Sequence, residues 1–448
     1  MGVQQIFTKK TRSSSTFILV ALCFALFTDT FVYGIIVPIL PFLLMGHGDM
    51  ASKDVQKWSS ILLATYGVAL LLGSPVVGYF CDKYRTRKAP LVSGFVAMAL
   101  ATALFMSATN VWVLLVARVC QGLSGAVVGV LGLSMIAETS SPEHLGSHMA
   151  CGSASLTWGM LCGPMTGGFL FSQFGTVGAF GVPMALLVVD IILRMLIVQE
   201  NEGTDESKNH HQENSPLLES SDSVSGDTSL SFYQFLHPLM LGLVFSVLVI
   251  SSILSAIETT LPLYVLDTYH WSSLGAGLVF LPLTIPSVLS IPIAYFVRHF
   301  APRTVVVTGF FLMAVPMVSL RWTQENTIHH EIVLISLLFV VGVCLTTAQA
   351  IIMGDVSNAV RKIETLHGIT EEKSSGQARG YALCNMAFAA GQTLGPMAGG
   401  FIKHGLGWGF LTLVLGILCL VAGLSSFFSM SAAPQVDGNK VKVDDNEC

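Results

Sequence analysis

Charge is what this chain has least of. Asp, Glu, Lys and Arg make up 11% of its 448 residues, under half the ~25% of an average soluble protein. With 52% hydrophobic residues and a mean hydropathy of +0.70, it lacks the polar side chains needed to coat two or three water-soluble cores. A soluble multidomain protein is excluded, and lipid becomes the expected solvent. The net charge is -5 and no dense basic face appears, which excludes nucleic-acid binding as a main role. Catalytic signatures are missing too. There is no HExxH, GxSxG or phosphate loop, and Gly354-Asp355 has no second acid to complete an aspartyl protease pair. No enzyme is expected. The nine cysteines form no CxxC pair and no Cys/His ligand spacing, and seven lie inside apolar runs. Neither a metal site nor a disulfide framework is expected, only packing. No cleavable signal peptide is expected, because the first apolar run is too long and carries an acid in its middle.

What the chain does have is apolar runs long enough to cross a bilayer, each needing about 20 residues. Twelve occur, at roughly 17–44, 58–81, 89–108, 111–137, 147–171, 177–198, 238–266, 273–297, 304–320, 331–356, 379–402 and 408–430. Helix is the expected form, since a barrel would show short alternating segments. Most of the 17 prolines fall in or at the ends of these runs, where they are expected to bend helices rather than end them. Basic residues set the orientation. Seventeen of the 22 Lys and Arg fall on the side of the amino terminus, four (Lys53, Lys57, Arg321 and Lys403) on the other, and Arg118 within a run. Both termini are therefore expected in the cytoplasm.

The longest break divides the chain into a six-helix half at 1–198, an acidic cytoplasmic linker at 199–237, a second six-helix half at 238–430 and a cytoplasmic tail at 431–448. Between Glu200 and Phe235 the linker has eight acids against Lys208 alone, a composition expected to stay disordered. Within it, Glu213 followed by Leu217 and Leu218 matches an acidic dileucine sorting pattern, the alternative being plain linker.

The halves echo each other. Gly159, Gly163, Pro164, Gly167 and Gly168 form a GxxxGPxxGG pattern in the fifth run. Gly391, Gly395, Pro396, Gly399 and Gly400 repeat it in the eleventh, 232 residues on. A fainter echo links Gly78 to Arg87 with Ala294 to Arg303. Matching motifs at equivalent runs predict a parallel repeat about an axis along the membrane normal.

These residues resemble the major facilitator superfamily over nearly the whole chain. Gly78 to Leu91 resembles the loop motif between its second and third spans, with Arg85 where glycine is usual. Arg118, Gln121 and Gly122 resemble the span-four motif of proton-coupled members, and GxxxGPxxGG the antiporter motif of the twelve-span drug:proton group. Spans one and seven are most similar to vesicular amine transporters: Asp29 with Pro38 and Pro41 downstream, and Glu258 with Pro262. Where those relatives carry acids in spans ten and eleven this chain has Thr346 and Asn385, and Tyr66 stands in place of their span-two lysine. The resemblance implies that Asp82 faces the amino end of span eleven near Gln377 to Gly380. It also implies that Arg87 or Lys88 pairs with Glu138, as a cytoplasmic gate.

The residues themselves point to ion exchange. A charge at the bilayer centre costs about 2.5–3.5 kcal/mol on insertion scales, so Asp29 needs a wet cavity or a partner. A carboxyl in low dielectric favours its neutral form and can trade that proton for an arriving cation. The alternative is a permanently hydrogen-bonded or ion-paired acid, with Arg118 as one candidate partner. Tyr33, one turn on, shares its face and could orient a bound group. Glu258, with Ser251 and Ser255 on its stripe, reads either as a second exchanging acid or as an anchor snorkelling to the outer surface. Arg118 keeps its charge and would bias a nearby acid. Asp190 and Arg194 at i, i+4 read as a local ion pair. Gln121, Thr157, Trp158, Gln349, Asn385 and Gln392 line a cavity or make interhelical hydrogen bonds.

The expectation is a proton-coupled antiporter for an amphipathic or cationic small organic molecule, working as a monomer with protons as its only coupling ion and no cofactor. It would sit in the plasma membrane or a vacuolar or vesicular one. The alternatives are a symporter or facilitator for a neutral or anionic metabolite such as an organic acid, and a non-transporting membrane sensor.

Overall fold

A backbone in lipid has no water to bond, so each apolar run must satisfy its own amides. In the computed structural model, which describes residues 15–46, 52–84, 88–108, 110–140, 145–196, 237–288, 301–366 and 376–431, these runs are helical and no strand occurs among the described residues. Helix α1 spans Ser15–Met45, α2 Ser52–Tyr84, α3 Lys88–Ser107, α4 Val111–Thr139 and α5 Leu145–Leu196. Then come α6 at Pro238–Tyr269, α7 at Ser273–Leu278, α8 at Leu281–Val288 and α9 at Pro302–Ser319. Last are α10 at Ile328–Leu366, α11 at Gly376–Leu406 and α12 at Trp408–Ser431.

Local chemistry sets the ends. Asn110 caps α4 by accepting from the Val113 amide at 3.0 Å. Pro238 opens α6, where its missing N–H costs nothing, and His270 closes it in the left-handed region at φ 56°. Inside the helices, hydroxyls that would be orphaned in lipid donate to the carbonyl four residues back, as Thr28, Ser74 and Thr102 do. The surface inverts the soluble pattern: Leu72 is 65% exposed and Arg118 0%.

Nine of these helices are long and apolar enough to cross a membrane among the described residues: α1 to α6, α9, α10 and α12. Helix α5 counts once, although its 52 residues would run about 78 Å if straight. Gly175, at φ 63° and ψ -154°, breaks it between the runs read as spans five and six. The eighth run begins on α7 and α8, and its continuation at 289–300 lies outside the described residues. The eleventh lies on α11, where Asn385, Gln392 and several glycines dilute the apolar character.

Packing repeats along the chain. Helix α1 lies along α5 as α6 lies along α11; α2 packs on α4 as α8 does on α10; α3 packs on α5 as α9 does on α12. Two further contacts, α2 with α11 and α5 with α7, join the two sets. The GxxxGPxxGG glycines make these approaches possible. Gly159, Gly163 and Gly167 rest on the α1 backbone from Phe27 to Ile35, while Gly168 meets Ser273 and Gly277 of α7. In the second copy, Gly391, Gly395 and Gly399 rest on α6 from Leu248 to Ala256, and Gly400 meets Ser60 of α2. So in each copy the first three glycines serve one partner helix and the last serves a helix of the other set.

A methyl group tests this directly. A Cβ on Gly163 would stand 2.9 Å from Gly34 Cα and the Phe31 carbonyl oxygen, both backbone, whereas one on Gly129 meets nothing within 4 Å. Gly163→Ala should cost about 1–3 kcal/mol and lower the melting temperature in detergent. Gly129→Ala should leave it level or raise it. Equal behaviour of the two variants would contradict the packing role.

Candidate functional site

The polar residues of the apolar helices converge on one place. Helix α1 supplies Asp29 and, one turn on, Tyr33; α2 supplies Tyr66; α4 supplies Arg118 and Gln121; α6 supplies Glu258. Each of them is buried. The Tyr33 hydroxyl donates to Glu258 Oε2 at 2.9 Å, linking residues 225 apart in sequence. The Tyr33 and Tyr66 rings tilt against each other with centroids 4.8 Å apart. The Arg118 guanidinium lies 5.8 Å from the Tyr33 ring, 5.9 Å from Tyr66 and 5.3 Å from Phe105, within cation–π reach. Its Nη1 donates to Gln121 Oε1 at 3.4 Å.

Asp29 sits beside this cluster without joining it. Its Oδ1 has no protein hydrogen-bond partner, and no ion pair joins it to Arg118 among the described residues. That corrects the pairing of Asp29 with Arg118, which is engaged by the aromatic rings and by Gln121. Gly125 makes the arrangement possible, since a Cβ there would lie 2.8 Å from the Tyr66 hydroxyl and 3.2 Å from Asp29 Oδ1. Both oxygens therefore share the space a larger residue would fill.

Glu258 is not a snorkelling anchor, because it is buried and held by Tyr33. Asp190 and Arg194 form the expected local pair at 3.6 Å, with Arg194 also donating to the Ala21 carbonyl at 2.5 Å. Ser251 donates to the Phe388 carbonyl at 2.7 Å, tying α6 to α11. Asn385 is exposed, and no hydrogen bond among the described residues joins it to the cluster. Trp158 and Gln349 are exposed as well, while Gln392 is buried. Of the expected gate, Gly78 and Asp82 fall on α2, Lys88 opens α3 and Glu138 lies near the end of α4, but their side chains, like Arg87, lie outside the described residues, as do the linker to 236, with its 213–218 pattern, and the tail from 432.

Sequence reasoning missed four residues. Tyr66 was flagged only as standing where similar proteins carry lysine. Phe105 is one aromatic among 27 phenylalanines, with no local mark. Gln56 and Ser60 are an i, i+4 polar pair on α2 whose partner Lys403 is far off in sequence: its Nζ donates to Gln56 Oε1 at 3.1 Å.

A profile of the Major Facilitator Superfamily matches residues 22–371, and the chain belongs to that superfamily. It is an integral membrane transporter, not an enzyme, with a small molecule as its substrate. An uncharacterized MFS-type transporter of Schizosaccharomyces pombe is 29% identical over 436 residues, covering 93% of this chain and 96% of that protein. The synaptic vesicular amine transporter of Mus musculus is 24% identical over 407 residues, 89% of this chain and 71% of that protein. Among solved structures, a bacterial homolog of the human lysosomal transporter Spinster, inward-facing and unoccupied, superposes with a TM-score of 0.67 at 12% identity, covering 93% of this chain and 97% of that one. At that identity the likeness speaks for the fold.

The Tyr33–Glu258 contact is open to a double-mutant cycle. Tyr33→Phe leaves Glu258 without its donor and should cost about 1–3 kcal/mol in the wild-type background. The same change should cost little once Glu258→Leu has removed the acceptor, as read by SDS unfolding titrations. Additive costs would show that the bond contributes nothing.

Proposed function

We propose that this chain is a proton-coupled antiporter that moves an amphipathic or cationic organic molecule out of the cytosol, across the plasma membrane or into a vesicle or vacuole. In this reading twelve spans form two six-helix halves, 1–198 and 238–430, with both termini in the cytoplasm. Protons are the coupling ion and the monomer is the working unit. The recurring helix pairings and the duplicated glycine rows support the two halves.

One observation carries the mechanism: two carboxyl groups are buried on either side of one guanidinium, Glu258 held by Tyr33 and Asp29 beside Tyr66, with the rings of both tyrosines facing Arg118. With both acids ionised the site has one negative charge too many, and in low dielectric that charge is costly. A proton balances it, and so does a bound organic cation. Occupancy by one therefore disfavours the other, which is the condition for exchange. Asp29, whose Oδ1 no protein group holds, is the better receptor for the cation. Glu258 is bound by Tyr33 across α1 and α6, and a change in its charge acts on the contact between those helices. The tyrosine rings offer π faces to a cationic cargo. Similarity to vesicular amine transporters supports the same cargo class.

The rival is a symporter for an organic anion. Arg118 favours it, because its Nε and Nη2 have no protein hydrogen-bond partner. One assay separates them. Proteoliposomes with an acidic lumen are given arylalkylamines or quaternary amphipathic cations outside, and lumenal pH is followed with a dye. The antiporter predicts alkalinisation of the lumen on addition of the cation, slowed at least about thirtyfold in Asp29→Asn. The rival predicts that organic anions, not cations, drive proton movement. Equal rates in wild type and Asp29→Asn, or cation entry without proton exit, would overturn the reading.

A further inference from the structure

A second polar cluster lies one turn from Glu258, and the exchange reading does not use it. Pro262 has no N–H to offer the Glu258 carbonyl, and its ring crowds the preceding turn. In the turn before this proline, two α6 carbonyls have partners on other helices. The Thr259 carbonyl accepts from Gln56 Nε2 of α2 at 3.2 Å. The Thr260 carbonyl accepts from Lys403 Nζ of α11 at 3.1 Å, and the same ammonium donates to Gln56 Oε1 at 3.1 Å. Gln56 Nε2 also reaches Ser60 Oγ at 3.3 Å. Gly400, lacking a side chain, lets α11 close on Ser60 and brings Lys403 within reach. Asp267, further along α6, lies near enough to act on the lysine charge.

This cluster differs from the other polar ties of the molecule. Asp190 and Arg194 pair within one helix. Gln56 belongs to the first set of helices, and Lys403 and the α6 turn to the second. The contacts therefore bridge two bodies that must separate on this side for cargo to leave. Their acceptors are neutral carbonyls and an amide, so opening leaves no ion unpaired. Lys403 is half-buried and regains water as the helices part. The turn that supplies both carbonyls also carries Glu258, whose carboxyl is held by Tyr33. The Glu258 side chain and the seat of these hydrogen bonds thus share one turn of α6.

We propose that Gln56 and Lys403 form a latch that closes the outer side over the Glu258 turn and yields when Glu258 changes partner. The inference rests on the transport reading for its sidedness, Lys403 being among the four basic residues assigned to the outer face. Both residues are positioning residues that act through α6.

Hydrogen exchange on the full-length protein in lipid nanodiscs tests it without any cargo. Where reclosing is fast, exchange follows the population of the open form. Lys403→Met and Gln56→Leu should speed exchange about tenfold or more in the outer segments 54–62, 256–266 and 398–406. Both should slow it at the opposite ends of α6 and α10, at 240–247 and 352–364, because opening one side closes the other. Lys403→Arg should stay near wild type. Should Lys403→Met fail to fold, Gln56→Leu decides. Unchanged exchange in the outer segments, or faster exchange at both ends together, would overturn the latch and mark the cluster as ordinary packing. A wild type that moves no cation in proteoliposomes would sink the exchange reading and leave this result standing on its own.

Discussion

A carboxyl group sunk between apolar helices must be matched by another group or hold its proton, because water cannot solvate it there. Glu258 meets that demand across the molecule, through the hydroxyl of Tyr33. The consequences spread outward from this bond. It ties α1 to α6 and holds Tyr33 tilted against Tyr66, where the two rings flank Arg118. Asp29, one turn away, is left beside the cluster with Oδ1 unclaimed by protein. A site with one acid engaged and the other available is unlike the pair Asp190–Arg194, whose opposite charges lie 3.6 Å apart on one helix.

Close approach of helices is the second requirement, and small residues meet it. The association of helices in lipid relies on packing rather than on the hydrophobic effect, so a row of glycines substitutes for the apolar face of a soluble helix. In both GxxxGPxxGG rows three glycines bind a neighbour within the set and the fourth crosses to the other set. The crossing contacts, Gly168 with Gly277 and Gly400 with Ser60, lie on the same side of the molecule as the Gln56–Lys403 cluster. The rows thus hold each set together and also seat the joint between them.

The helices were legible because their signal is long and redundant: runs of twenty apolar residues survive any local exception. The break at Gly175 was legible for the same reason, since the two runs flanking it were read separately. Asp29, Glu258 and Arg118 stood out because charge is rare in such runs. Their neighbours were harder to find. Tyr66 and Phe105 are ordinary apolar-compatible aromatics, and only the fold places them on Arg118. Glu258 was ambiguous because snorkelling and burial depend on where the helix sits, which one-dimensional periodicity does not give. Gln56 and Lys403 are 347 residues apart, and Lys403 in the sequence is simply one more basic residue near a span end. Asn385, singled out by its polarity, lies outside the cluster. Polarity marks candidates, and only the packing sorts them.

The exchange of a proton for a cation at Asp29 and Glu258 is the central claim, and linkage makes it measurable on the purified protein. In lipid nanodiscs under weak buffering, saturating arylalkylamine should release about one proton per cation bound, and Asp29→Asn should release none. Amine binding that releases no proton from the wild type, with an affinity indifferent to pH, would contradict the account.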